Sequence, residues 1–189
     1  MQLITIQNEK VVDALKHENV YHADMTRVPA NRVTPYQKMC EYYGWGFCPI
    51  FACEVGKPAH FDGDWRNGVA IELNVPDEIA RRQYYYDWCD VIYYTEFPGE
   101  FADSFDTTKI PNLEVYIQRV FDFVNQGSYS DVQVTVPIIK REWITKVSRK
   151  PLTVVEGASA DKVLRSLTEY DPEAAEFGTS LRTSVFNSI

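Results

Sequence analysis

The segment Gly68–Val75 constrains the fold more than any other, because its apolar residues recur with a period of two. In an extended chain Val69, Ile71 and Leu73 point to one side, while Glu72 points to the other. This alternation predicts a β-strand with one apolar face.

Cap and stop residues predict three helices. Asn, Thr and Pro are favoured at the first positions of a helix, and Gly is favoured just after the last. The predicted helices begin at Asn8, run from Thr34–Pro35 to Gly44, and run from Asn112 to Gly127.

The aromatic block 84–94 fits either a helix or a strand. Tyr85, Trp88 and Ile92 fall at helical spacing, whereas alternate positions in 84–88 would suit a strand. Aspartates on the remaining face favour the helix, and a long loop containing Pro98–Gly99 is expected after it.

The remaining segments complete a mixed pattern of strands and helices. Further strands are predicted at Leu3–Ile6, Phe47–Glu54, Asp131–Val136, Ile144–Val147 and Leu152–Val155, with a small helix at 161–167. Because strands and helices do not alternate regularly, the sequence predicts an α+β fold with mixed or antiparallel sheets and packed helices. One domain is expected over residues 1–170, followed by a loosely held tail, 171–189.

Composition and the N-terminal sequence indicate a cytoplasmic protein. Hydrophobic residues make up 45% of the 189, as in globular proteins generally. No apolar run approaches the roughly 18 residues of a membrane span. The N-terminus lacks the basic flank and apolar stretch of a signal peptide.

The net charge of −8 is unevenly distributed. Residues 72–122 hold eleven acidic and four basic side chains, a local net of −7, whereas residues 137–165 have a local net of +4. A nucleic-acid-binding protein would show a dominant basic stripe, so direct DNA or RNA binding is not expected. The acidic stretch permits docking to a basic protein partner, although solubility alone also explains it.

Motifs for common chemistries are missing from the sequence. It contains no phosphate-binding Gly loop, no His-Glu-x-x-His helix and no Gly-x-Ser-x-Gly elbow. The four cysteines form no Cys-x-x-Cys pair, and the spacing of Cys48, Cys53 and His60 is not that of a zinc ribbon or finger. We therefore expect free thiols and no metal.

Three stretches together resemble an uncharacterised family of short bacterial and phage proteins. They are Leu3-x-Thr5-Ile6-Gln7, Ile71-x-Leu73-x-Val75-Pro76 with Trp88 downstream, and Val132-Gln133-Val134-x-x-x-Ile138-x-x-x-x-Trp143-Ile144. The resemblance covers about residues 2–147, and the family has no established activity, so it implies no function.

The order of the elements is also similar to the ADP-ribosyltransferase fold, which implies an NAD site. By this resemblance Thr5 and Gln7 stand at the early polar position, and Gln133 stands at the late catalytic position. A glutamine cannot stabilise a cationic transition state by charge as a carboxylate does, although its amide can bind a ribose hydroxyl. Asp131, two residues earlier, could supply that carboxylate. Alternatively, Gln133 is simply a polar residue on the solvent side of its strand.

Three functional hypotheses remain open, and they differ in what the aromatic residues contact. The first is an NAD-type nucleotide site in which Tyr86 and Trp88 stack on the ligand and catalysis is weak or lost. The second is an acidic, non-enzymatic module, such as a phage-type inhibitor, that docks a basic surface of a partner protein. The third is a homodimer formed through the same aromatics.

Overall fold

The computed structural model describes residues 1–57, 68–125 and 132–148. An antiparallel sheet forms the centre of the fold. In chain order the strands are β1 (Gln2–Asn8), β2 (Val20–Tyr21), β3 (Ile50–Glu54), β4 (Gly68–Asn74), β5 (Arg81–Tyr84), β6 (Val132–Val136), β7 (Ile139–Lys140) and β8 (Ile144–Ser148). Six of them form one sheet in the order β5-β6-β3-β1-β4-β8, and β2 pairs with β7.

Helices lie on both faces of this sheet. They are α1 (Glu9–His17), α2 (Val33–Tyr43), α3 (Tyr85–Glu96), α4 (Pro98–Ser104) and α5 (Leu113–Phe121), with short 3₁₀ turns at Met25–Arg27, Ala30–Arg32 and Arg141–Trp143. The predicted α+β fold class is therefore confirmed, as is the helical interpretation of the aromatic block.

The central strand β1 contributes side chains to both layers. Leu3 joins Ile71 and Val134 in the core that α1 closes with Val11, Val12 and Leu15. Ile4 and Ile6 alternate with Leu3 and therefore face the opposite side. On that side Phe51 packs against the buried residues of α2, α3 and α5. Both faces of the sheet are thus covered.

The capping residues predicted at Asn8, Asn112 and Gly44 are confirmed. The Asn8 side chain accepts a hydrogen bond from the Lys10 N–H at 3.0 Å, and Asn112 accepts one from the Val115 N–H at 3.0 Å. Gly44 ends α2 with φ of 66°, a left-handed conformation that glycine adopts without steric cost.

Several predicted boundaries are wrong. Thr34 does not cap α2 but lies inside it, because a 3₁₀ turn leads directly into the helix, which begins at Val33 with Arg32 at the N-cap position. The expected loop at Pro98–Gly99 is the start of α4, which buried Phe101 anchors. Helix α5 already ends at Phe121.

Some predictions fall outside the described residues. These are the strand Leu152–Val155, the helix 161–167, the end of the domain at residue 170 and the tail 171–189. Within the described ranges, no helix is long and apolar enough to cross a membrane.

Candidate functional site

The sheet opens between its two central strands. Within the described residues, β1 pairs with β4 from Gln2 to Asn8 but pairs with β3 only through Leu3 and Ile4. Beyond that point the Thr5 hydroxyl donates a hydrogen bond of 2.7 Å to the Phe51 carbonyl and so bridges the two strands.

A cavity of about 390 Å³ lies beside this opening. Ile6, Phe51 and Gln133 line it from three neighbouring strands, β1, β3 and β6. Helix α3 supplies Trp88 and its neighbours Tyr85, Cys89 and Ile92, and the segment between Tyr21 and Tyr36 closes the remaining wall. This volume lies within the roughly 300–1,000 Å³ range typical of small-molecule sites.

Three aromatic rings form one wall of the cavity. The ring centroids of Tyr36 and Phe51 lie 5.4 Å apart, those of Phe51 and Trp88 lie 5.6 Å apart, and those of Tyr36 and Trp88 lie 5.7 Å apart. These separations are typical of packed aromatic pairs, so the rings hold one another in place. The wall offers a preformed apolar surface to a planar ligand.

Gln133 brings an unused hydrogen-bond donor to the same cavity. Its side chain is 5% exposed, and its Nε2 has no hydrogen-bond partner within residues 1–57, 68–125 and 132–148. Leaving a buried polar group unsatisfied costs about 1–3 kcal/mol. A ligand oxygen or ring nitrogen placed near Nε2 would recover that energy.

Two arginines line the cavity from the segment between Tyr21 and Tyr36. Arg27 ends one 3₁₀ turn and Arg32 ends the next, immediately before α2. In the part of the chain that the structure describes, neither guanidinium forms a salt bridge. The carboxylate of Asp24 lies on the same wall, and hydrogen bonds from Thr26 hold its pKa below the usual range.

One of the two thiols that line the cavity, that of Cys48, is not poised as a nucleophile. Burial, with a smaller contribution from Cys40, raises the pKa of the Cys48 thiol to about 12. The thiol therefore stays protonated at neutral pH, and a protonated thiol is a poor nucleophile. Ala23 and Cys48, which are joined by an isolated backbone bridge, also line a more open cavity of about 700 Å³ beside Phe47.

The structure brings together some of the site residues predicted from the sequence. Gln133 and Trp88, which is 3% exposed, both line the cavity, and Gln7 contributes to its lining. Thr5 is fully buried and alternates with Ile6, so its side chain lies on the α1 side of the sheet. There the Thr5 hydroxyl accepts a 2.8 Å hydrogen bond from the Gln7 amide.

The other two predicted site residues are not in the cavity lining that the structure describes. Tyr86 is 55% exposed and is not among the residues that line the cavity, whereas Trp88 is. Asp131 lies outside the described residues, so its proposed role as a carboxylate donor stays a prediction.

Sequence reasoning missed four residues of the site. Tyr36 and Phe51 complete the aromatic wall, and Arg27 and Arg32 supply the positive charge. The arginines carried one usable signal: two cations five residues apart, around Pro29, in an acidic chain. No spacing pattern linked them to the aromatic residues, because only the tertiary fold brings these segments together.

No metal centre emerges among the described residues, where no three His, Cys, Asp or Glu side chains gather to hold an ion. Comparisons with protein-family models, with curated proteins and with solved structures found no match to this chain. Function is therefore inferred from the geometry of the cavity.

Proposed function

We propose that this protein binds a nucleotide of the NAD type in the cavity, with catalysis that is weak or absent. The observation that carries the proposal is the buried Gln133 amide, whose Nε2 is unpartnered in the described part of the chain. A carboxamide, a purine edge or a ribose hydroxyl presents the acceptor that this donor requires.

The aromatic wall supports the same ligand class. A base or a nicotinamide ring is flat and fits against Trp88 and Tyr36, whose rings are already fixed by Phe51. Stacking on a preformed surface costs little conformational entropy on binding. The combination of one buried amide donor and apolar rings is typical of small-molecule sites.

The lining favours binding over catalysis. An amide at Gln133 supplies no negative charge to stabilise an oxocarbenium-like transition state. The Asp24 carboxylate accepts a hydrogen bond of 2.9 Å from the Thr26 N–H and caps its own 3₁₀ turn. Asp131, next to β6 in the sequence, would have to supply the carboxylate for any transfer activity.

Calorimetric titration tests the proposal. Purified protein is titrated with NAD, and with ADP-ribose and nicotinamide separately. We expect saturable binding of NAD that Gln133→Ala abolishes, while Gln118→Ala, which truncates an exposed glutamine on α5, leaves it unchanged. Absence of heat at millimolar NAD, or equal affinity in the Gln133→Ala protein, would overturn the proposal.

A second candidate function rests on the surface of α3 and α4. Between Arg82 and Lys109 the sequence carries six acidic side chains and no basic one. Tyr86, Tyr93 and Phe97 are exposed on the same segment. Exposed aromatics surrounded by carboxylates suit a partner whose surface is rich in arginine, because cations bind both groups.

A further inference from the structure

We infer that the cavity selects phosphorylated ligands, and that Arg27 and Arg32 are the residues that bind the phosphate groups. This inference rests on the proposed nucleotide function, since it assigns the second half of the same ligand. It predicts that a nucleotide binds where the corresponding nucleoside does not.

The first argument for this inference is the charge of the residues that line the cavity. The protein has a net charge of −8, so its field repels anions over most of its surface. Arg27 and Arg32 are two cations on one wall, and neither is neutralised by a salt bridge within the described residues. A guanidinium presents paired donors that match phosphate oxygens, so both arginines are available to an anionic ligand.

The start of α2 places one of the two arginines beside the aromatic wall. Arg32 and Tyr36 lie one helical turn apart, and both line the cavity. The Val33 N–H donates to the Ala30 carbonyl and Pro35 has no N–H, so the Arg32 side chain rather than the backbone is the donor at this end of the helix.

Differences in burial fix the orientation of the ligand. Gln133 and Trp88 are buried, Arg32 is half-buried and Arg27 is exposed. Two positive charges and the single negative charge of Asp24 therefore lie toward solvent, and the unpartnered amide and the rings lie inside. A ligand that satisfies both ends enters with its ring first and keeps its phosphates near the mouth.

Titrations with four ligands test the inference on the full chain. The ligands are NAD, ADP-ribose, adenosine and inorganic pyrophosphate, and the variant is Arg27→Gln/Arg32→Gln. The control is Lys10→Gln/Lys57→Gln, which removes the same charge from two exposed lysines that do not line the cavity. We expect the arginine variant to bind NAD at least about tenfold more weakly and with a shallower dependence on salt, because charge-assisted contacts are lost. The control should match the wild type.

The outcomes separate this inference from the proposed function. If NAD and adenosine bind equally well to the wild type and to the arginine variant, yet Gln133→Ala abolishes both, phosphate selection is overturned and the nucleotide site stands. If pyrophosphate binds through the arginines while NAD does not respond to Gln133→Ala, the anion site stands and the nucleotide proposal fails. If none of the four ligands binds, both are overturned.

Discussion

Gln83 of β5 lies directly opposite Gln133 of β6, and both amide nitrogens lack hydrogen-bond partners among the described residues. Gln83 is fully buried, and its Oε1 accepts a 3.3 Å hydrogen bond from the Thr135 hydroxyl. Gln133 lines the cavity, whereas Gln83 is not among the residues that line it. Two unsatisfied buried amide donors are therefore neighbours in the sheet, and only that of Gln133 can form a hydrogen bond with a ligand.

Replacing either glutamine by methionine should stabilise the protein. Gln83→Met and Gln133→Met each remove an unsatisfied buried donor, so the free energy of unfolding should rise by about 1 kcal/mol in urea denaturation. Thr135 keeps an acceptor in the Arg81 carbonyl at 3.4 Å. Only Gln133→Met should lose NAD binding. A loss of stability in Gln133→Met alongside a gain in Gln83→Met would contradict the assignment of Gln133 as a ligand-binding residue.

Thr5 should prove structural rather than ligand-binding. Its buried hydroxyl donates to the Phe51 carbonyl and accepts from the Gln7 amide, so Thr5→Val leaves two polar groups unmatched. We expect this change to lower the free energy of unfolding by about 1–3 kcal/mol. Thr5→Ser keeps the hydroxyl and should retain most of the stability and all of the NAD affinity. A folded Thr5→Ser protein that no longer binds NAD would instead place Thr5 in contact with the ligand.

Local sequence patterns predicted those strands and helices in which the pattern is strong. The alternation in β4 sends Val69, Ile71 and Leu73 into one core, as expected. Strand β5 was missed because its sequence, Arg81–Tyr84, has no apolar alternation. It forms at the edge of the sheet by pairing with β6, an interaction between residues about fifty positions apart.

The cavity could be predicted only in part. The resemblance singled out Gln133, while the alternative interpretation, a solvent-facing polar residue, is wrong because helices cover both faces of the sheet. The sequence gives no spacing between Arg32, Phe51 and Trp88, since these residues lie on three different elements. Their proximity is a consequence of the tertiary fold, which no local pattern specifies.

The acidic surface of α3 and α4 should bind a short arginine-rich peptide if the second candidate function holds. Reversing Glu96, Glu100 and Asp103 to lysine should weaken that binding by about tenfold, since exposed charge pairs contribute about 0.2–1 kcal/mol each. The dependence of the affinity on salt should also become shallower. Fluorescence anisotropy of a labelled peptide measures both quantities.

A matched charge change elsewhere controls for the net charge. Glu18, Glu78 and Glu142 are exposed and lie outside α3 and α4, so reversing all three should leave the site itself intact. Equal weakening by both triple variants would show attraction to the overall charge and would remove this surface as a site.

Sedimentation of the unbound protein tests the homodimer: self-association that Phe97→Ser abolishes would assign the surface to a second copy of the chain.

The charge on Asp87 should reduce stability at neutral pH. Burial raises the pKa of its carboxyl above the usual value, and the nearby Asp90 carboxylate raises it further. The folded state therefore binds a proton more tightly than the unfolded state does. The resulting stabilisation is fully present below the unfolded pKa of about 3.9 and is lost as the pH rises through the folded pKa.

Asp87→Asn should accordingly raise the free energy of unfolding at pH 7 by about 0.2–0.5 kcal/mol from relieved repulsion alone. The advantage should shrink as the pH falls toward 4, where the wild-type carboxyl takes up its proton.

Asp77 provides a control of opposite sign, because a hydrogen bond and ion pair with the N-terminal amine lower the pKa of its carboxyl. Asp77→Asn should reduce stability at pH 7, and the loss should fade in acid. Urea denaturation of the three proteins at several pH values measures these trends, and parallel pH profiles for wild type and Asp87→Asn would show that Asp87 titrates normally.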